Sequence, residues 1–451
     1  MDSVIPREGS QISPEPRQWA PIAWRTNLWL VPTLCVLAAL ALFVFSQSLD
    51  RAAYDHRITL PHWIDQGSAS DARDLLSATV GAIITTLGLV LSITVLTLSI
   101  AATQFGQRLL RRFMRDRGTQ ICIGIFSATF VFSLLTLLSV TSRPQERQFV
   151  PWFSCWVSTM LALSCIATLI FYVNHVAQTI QVNTILADIS ADLRRIVHEQ
   201  AAQDGTSFSL PQIKQDFFLK APASGYLRKV DFPALARAAE KCDAVVQFLG
   251  RPGQFVIAGM ALAAGGRRRG RSGAPDAPAQ LVHAFARALD IGPRRTMTQD
   301  PEFAFAQIVE IGLRAMSPAV NDPNTMFTCV QWLGDGLRVI AQTLPHRTTH
   351  ADGNGEPRVI ELEYPYHRFV GAAFDPLRQV ARDSPEASVV MLETIAALAG
   401  CLTEEKHLAP LAAQAELVRE GFNKDAPSHD RARVDAAYQR AIGATRRGKA
   451  A

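Results

Sequence analysis

The stretch Leu75-Leu-Ser-Ala-Thr-Val-Gly-Ala-Ile-Ile-Thr-Thr-Leu-Gly-Leu-Val-Leu-Ser-Ile-Thr-Val-Leu-Thr-Leu-Ser-Ile-Ala-Ala-Thr-Gln-Phe-Gly-Gln107 contains no charged side chain, and its reading decides the fold. As a helix it is about 50 Å long, at about 1.5 Å per residue, against a hydrocarbon core of about 30 Å. It must tilt or project beyond a bilayer. A soluble core helix of this length needs a polar face, whereas an uncharged apolar run of about 18 residues or more reads as membrane-spanning. Three further uncharged runs extend from Asn27 to Leu49, from Gly118 to Ser142 and from Gln148 to Ala187. The spacing predicts spans near Leu28 to Ser46, Thr119 to Val140 and Val150 to Val173 beside the quoted one.

Average composition hides this division. The chain has 451 residues, 48% hydrophobic and 19% charged, values ordinary for a soluble protein. The charge lies almost entirely outside the four runs, which excludes a secreted protein, a purely cytosolic enzyme and a disordered chain. A net charge of +5 over this length supplies no dense basic face, so nucleic acid is not an expected partner. The seven cysteines include no Cys-x-x-Cys pair and read as small buried hydrophobes, with no disulfide framework or zinc site.

The first span follows a head, residues 1–27, that contains Pro6, Pro14, Pro16 and Pro21. Its apolar run is longer than a signal peptide's and closes on Phe43, Phe45 and Gln47, so it reads as a retained helix. Sidedness follows from the loops. Arg108, Arg111, Arg112, Arg115 and Arg117 crowd the segment between the second and third spans. The preceding loop sets Asp50, Asp55, Asp65, Asp71 and Asp74 against Arg51, Arg57 and Arg73. Lysine and arginine are retained on the cytoplasmic side, which predicts cytosolic termini.

Beyond the four-span domain (28–174), Ile185, Ile189, Leu193 and Ile196 recur at helical spacing, predicting an amphipathic stalk over 175–203. Residues 210–264 alternate strand-like and helix-like segments and read as a small α+β module. Its phrase Pro252-Gly-x-Phe-Val-x-x-Gly259 resembles the turn of biotinyl and lipoyl carriers, but carriers need a lysine at the hairpin tip, and none lies between Lys241 and Lys406. Residues 265–279 form an arginine-glycine loop, 280–422 read as helices, and the basic tail 423–451 is expected to fray. The fold class is therefore mainly α: four transmembrane helices followed by a cytosolic α+β domain.

Chemistry is sparse. No phosphate loop, dinucleotide fingerprint, nucleophile elbow or Cys-His arrangement occurs, and no catalytic residue, metal site or cofactor is expected. His56 and His62, with Asp55 and Asp65, match no standard metal spacing. In the second span, Ser77, Gly81, Thr85, Gly88, Ser92, Ser99 and Thr103 fall on one helical face. Such a stripe either lets helices pack closely or, repeated around an oligomer, lines a water-filled path. Thr85, Gly88, Ser92, Ser99 and Thr103 are the candidate pore-lining residues. Arg108, Arg111 and Arg112 would concentrate anions at a cytosolic mouth, near Asn174, His175 and Gln178 below the fourth span. The expected function is an oligomeric ion channel, anion-favouring or weakly selective, with small ions, the lipid bilayer and further copies of the chain as partners. The alternative is a non-conducting sensor or scaffold that binds a cytosolic partner.

Four segments carry a family resemblance. Gln104-Phe-Gly-Gln-Arg-Leu-Leu-Arg-Arg-Phe-Met-Arg-Asp-Arg-Gly-Thr-Gln120, Gln299-Asp-Pro-Glu-Phe303, Arg314-Ala-Met-Ser-Pro-Ala-Val-Asn-Asp-Pro-Asn-Thr325 and Arg382-Asp-Ser-Pro-Glu386 resemble signatures of the bacterial membrane proteins grouped as domain of unknown function 2254. Ala319 stands where the family more often has glycine, and Gln107 where it has proline. The resemblance implies an inner-membrane protein with four spans and a cytosolic domain. The signature residues Ser317, Pro318, Asn321, Asp322 and Pro323 read locally as a turn and a helix start, with Asp322 as cap and Pro323 at the first helical position.

Overall fold

The computed structural model describes residues 29–55, 68–105, 116–140, 149–202, 215–267, 278–344, 348–362 and 364–448. The chain divides into two compact units, one reaching Ile180 and the other beginning at Gln181.

The first unit holds four helices long and apolar enough to cross a membrane: α1 (Leu30–Tyr54), α2 (Ala69–Phe105), α3 (Arg117–Ser139) and α4 (Trp152–Thr179). Helices α1, α3 and α4 pack closely on one another, while α2 joins them chiefly through side chains. At one end, Ala69, Ala72 and Leu76 of α2 meet Val140 and Cys155. Further along, Val90 meets Cys122, Phe126, Cys165 and Tyr172. The Tyr172 hydroxyl lies 2.7 Å from Thr94 Oγ1 and 3.1 Å from the Val90 carbonyl, so a buried phenol finds partners on the facing helix.

Helix α1 runs past the expected end at Ser46 to Tyr54, and the extension matters. It buries Ser46, Gln47 and Asp50 against the bundle. Gln47 Nε2 donates to Ser139 Oγ at 2.5 Å. The Asp50 carboxylate accepts the backbone N–H groups of Phe153 and Ser154 at 2.9 and 3.1 Å and the Ser154 hydroxyl at 2.5 Å. Helix α4 starts after Pro151 with no side-chain cap of its own, so Asp50 from another helix satisfies donors that its first turn leaves open.

The second unit begins with α5 (Val182–Ala202). The expected continuous stalk is corrected here: α4 ends at Thr179, a turn intervenes, and α5 is a core helix of the second unit. Its Ile185, Leu186, Ile189, Leu193, Ile196 and Val197 are buried, and Leu193 reaches Gly336 beside Phe305. The apolar periodicity was that of a buried helix face.

Two sheets follow. β1 (Phe217–Lys220), β5 (Ala261–Arg267), β3 (Ala244–Phe248), β8 (Pro357–Ile360) and β7 (Thr349–Ala351) lie in that order in one sheet, antiparallel except for the parallel pair β3 and β8. β4 (Phe255–Val256), β2 (Gly225–Val230) and β6 (Leu289–Gly292) form an antiparallel second sheet. Helices α6 (Phe232–Lys241) and α7 (Ala279–Ala288) share a core with them through Leu235, Leu281, Phe285 and Phe248. Gly259 (φ +84°) separates β4 from β5, which belong to different sheets. The stretch after residue 280, expected to be helical throughout, supplies β6, β7 and β8; each has only three or four residues, too short for alternation to reveal.

The remaining helices are α8 (Pro301–Ala315), α9 (Pro323–Thr343), α10 (Tyr366–Ala381), α11 (Pro385–Ala399), α12 (Glu405–Gly421) and α13 (Ser428–Gly448). One device starts several of them: an Asp or Ser cap followed at once by proline. Asp300, Asp322 and Ser384 accept from Phe303, Thr325 and Ala387, just ahead of Pro301, Pro323 and Pro385. The cap orients a free N–H, and proline fixes φ where no donor is needed. Replacing Asp322 by Ala is expected to cost about 1 kcal/mol, read as a lowered midpoint in an unfolding titration of the purified chain. The basic tail, expected to fray, forms α13, which buries Val434, Ala437 and Ala441 and packs on α11. Its Arg433 and Arg440 meet Glu386 and Glu393, each at 2.9 Å.

Candidate functional site

Helix α2 has two opposite faces. Ala72, Leu76, Ile83, Val90 and Ala101 are buried, and Thr94 turns towards Tyr172. At about 100° per residue the other face carries Ser77, Gly81, Thr85, Gly88, Ser92, Ser99 and Thr103, and all seven are exposed. Among the described residues nothing beyond the helix's own adjoining backbone lies within 4 Å of where a Cβ would stand on Gly81 or Gly88. The stripe therefore does not serve packing among the described helices of its own chain. Val95, Leu96 and Leu89, which are 67, 59 and 53% exposed, flank it with apolar surface.

Three of the hydroxyls on this face are bonded internally. Thr85 Oγ1 donates to the Gly81 carbonyl at 2.8 Å, Ser92 Oγ to Gly88 at 2.9 Å, and Thr103 Oγ1 to Ile100 and Ser99 at 2.9 and 3.2 Å. Such back-bonding lets a hydroxyl sit in apolar surroundings without an unsatisfied proton. It also leaves the oxygen lone pairs as the outward polar feature, an acceptor surface.

At one end of the bundle the polar residues of α4 divide. His175 turns inward, its Nε2 2.7 Å from Asp116 Oδ2, with its ring stacked on Phe171 at 5.4 Å between centroids. Asp116 caps α3 by accepting from Gly118 and Thr119, so one carboxylate ties the start of α3 to the end of α4. Gly118 is required for this approach, because a Cβ there would stand 2.3 Å from His175 Nε2. Asn174 and Gln178 point outward and meet each other at 3.5 Å. The sequence placed these three together; the structure separates His175 from the other two. Arg108, Arg111 and Arg112, like His56, His62 and the loop 268–277, lie outside the described residues.

Burial alone would raise the Asp116 carboxyl, but hydrogen bonds from Thr119 and the contact with His175 outweigh it and hold it below its ordinary value of 3.8. A depressed folded pKa contributes stability that is present above the unfolded value and lost as pH falls through the folded one. Unfolding of the purified chain should therefore show an acid-side loss of stability below about pH 3.8, which Asp116→Asn removes while lowering stability at neutral pH by about 1 to 2 kcal/mol. An unchanged pH profile in the variant contradicts this assignment.

In the second unit, the signature around Ser317 is a tight exposed turn between α8 and α9. Ser317 Oγ donates to the Arg314 carbonyl at 2.6 Å, the Asp322 N–H reaches Ala315 at 2.8 Å, and Asn321 adopts φ +50°. Pro318 is exposed at the tip, and Pro323 opens α9 under the Asp322 cap. The other signature holds more charge. Gln299 uses its side-chain amide as a strand partner, accepting the Val230 N–H at 2.8 Å and donating to its carbonyl at 3.0 Å. Gln200 of α5 donates to the Gln299 carbonyl at 3.0 Å. Next to it, Asp300 is buried beside Arg295 at 2.5 Å, and Arg368 binds Glu302. Burial pushes the Asp300 carboxyl up to about 6, with Arg295 opposing. Every carboxylate in this cluster has a bonded cation or N–H, the pattern of a structural junction. Among the described residues no group of three or more His, Cys, Asp or Glu is suited to a metal.

Sequence reasoning missed Asp50 and Asp116. The signal for Asp50 was a polar face, Ser46, Gln47 and Asp50, closing an otherwise apolar run; for Asp116 it was an acidic residue immediately ahead of a helix.

Four helices of spanning length joined to a large α+β unit define a polytopic membrane protein with a substantial extramembrane part. The chain belongs to the family of predicted membrane proteins described as domain of unknown function 2254, whose profile matches residues 25–397. Among its relatives, uncharacterized protein Rv1290c of Mycobacterium tuberculosis is 32% identical over 385 residues, 83% of this chain and 73% of its own length. Uncharacterized protein Mb1321c of Mycobacterium bovis matches to the same extent, 32% over 385 residues with the same two coverages. No solved structure matches the chain.

Proposed function

We propose that several copies of this chain assemble in the bacterial inner membrane around the hydroxyl and glycine face of α2 and form a weakly selective ion channel, without enzymatic activity. The observation that carries the reading is the outward stripe of Thr85, Gly88, Ser92, Ser99 and Thr103, exposed along the length of the spanning helix and opposite its packed face. A single four-helix chain presents too little polar surface inside its bundle for a water-filled path, so the path must form between copies.

The back-bonded hydroxyls would offer acceptor oxygens along this path, which by themselves favour no anion. Any anion preference would come from Arg108, Arg111 and Arg112, whose charge also supports a cytosolic placement for that end of the bundle and for the second unit. Purified protein reconstituted into vesicles should pass small ions. Ser92→Cys and Ser99→Cys should react with a charged thiol reagent, and that reaction should reduce flux. Absence of flux together with unreactive cysteines at both positions overturns the proposal.

A further inference from the structure

The phrase Pro252-Gly-Gln-Phe-Val-Ile-Ala-Gly259, which no lysine converts into a carrier turn, builds a different feature. The Ala258 N–H donates to Ser224 Oγ at 2.9 Å, and the Gly259 N–H to the Ala221 carbonyl at 2.9 Å. The Ala221 N–H in turn donates to the Met260 carbonyl at 2.8 Å. These bonds hold two loops, 221–225 and 256–260, side by side as one tip. Gly259, at φ +84°, makes the turn that a side chain would strain. The tip is uncharged, and it exposes Pro222, Ala223, Phe255, Ile257 and Ala258. Ile257 is 63% and Phe255 53% exposed, and Phe255 is braced edge-on by Tyr226 at 5.2 Å.

Segments 217–230 and 244–267 contain Lys220, Arg228, Lys229, Arg251 and Arg267 and no aspartate or glutamate. Arg228 is paired with Asp290, but Lys220 is exposed immediately before the tip. A hydrogen-bonded apolar tip with the exposed Lys220 beside it fits an anionic lipid surface: aromatic and aliphatic side chains enter the headgroup region while the lysine meets phosphate. The chain carries four helices of membrane-spanning length, so the second unit is tethered to a bilayer, which raises the effective concentration of lipid around it.

We propose that the tip formed by Phe255 and Ile257 with Pro222 and Ala223 inserts shallowly into the anionic face of the bilayer, giving the second unit a membrane contact of its own. Such a contact is independent of conduction. It is tested on the full chain with Cys401, the exposed cysteine, replaced by Ser and Ile257→Cys carrying an environment-sensitive fluorophore. The protein is reconstituted into phosphatidylcholine vesicles with or without phosphatidylglycerol. In the anionic vesicles the label should be quenched about twofold more by a shallow nitroxide lipid than by aqueous iodide, as for a side chain at the headgroup boundary. The difference should shrink in purely zwitterionic vesicles and on adding Phe255→Asp. A label quenched by iodide and untouched by the nitroxide lipid overturns the proposal. So does a label shielded from both with disulfide cross-linking between copies at Ile257→Cys, an outcome that assigns the tip to a second copy of the chain.

Discussion

Replacing Asp50 with Ala should strongly destabilise the membrane bundle. The carboxylate is 3% exposed and is the acceptor for the Phe153 and Ser154 N–H groups and the Ser154 hydroxyl. Removing it strands buried donors at the first turn of α4 in surroundings where water does not replace it, at a cost of about 2 to 4 kcal/mol. Asp50→Asn keeps one acceptor oxygen but loses the charge facing the helix dipole, so it should fall between wild type and Ala. Titrating the purified protein from mild detergent into dodecyl sulfate, with α-helix content as readout, measures the order. Equal midpoints for wild type and Asp50→Ala would mean that the contact contributes nothing to folding.

The second large effect concerns conduction rather than stability. Gly88→Trp adds a large ring on the exposed face of α2, where among the described residues a Cβ meets nothing within 4 Å beyond the helix's own adjoining backbone. The isolated chain should tolerate it, because glycine in a helix interior costs about 1 kcal/mol relative to alanine and nothing in the bundle is displaced. If the face lines a path between copies, ion flux in vesicles should fall at least about tenfold, the ring occupying a passage only a few ångströms wide. If the face touches only lipid, flux and stability both stay at wild-type values. Val90→Trp, on the buried face against Phe126 and Tyr172, should show the reverse pattern, with loss of folding before any question of flux arises.

The four spans were legible because absence of charge over a bilayer's length is a one-dimensional signal, with no tertiary context required. The capping residues Asp322 and Ser384 were legible for a similar reason: cap and proline act within three residues of one another. What the sequence hid was pairing at long range. β8 joins β3 across more than a hundred residues through Val246 and Val359, and a strand of four residues has too few side chains to declare a period. The packed role of α5 was hidden because a helix buried on one face looks the same whether a partner covers it or it stands alone. The residues of the proposed path were legible as a stripe, and the fold added their direction. Asp50 and Asp116 were seen only as loop charges, since their work depends on which helix end arrives beside them.

In the proposed assembly α2 faces α2 across copies of the chain. Electron microscopy of the purified full-length protein in lipid nanodiscs tests this most directly, by giving the number of copies and the position of each spanning helix. The expected result is a closed ring of several copies with Thr85, Ser92 and Ser99 of every copy turned towards the symmetry axis. A monomer, or an assembly with α2 on its lipid-facing rim, would contradict it.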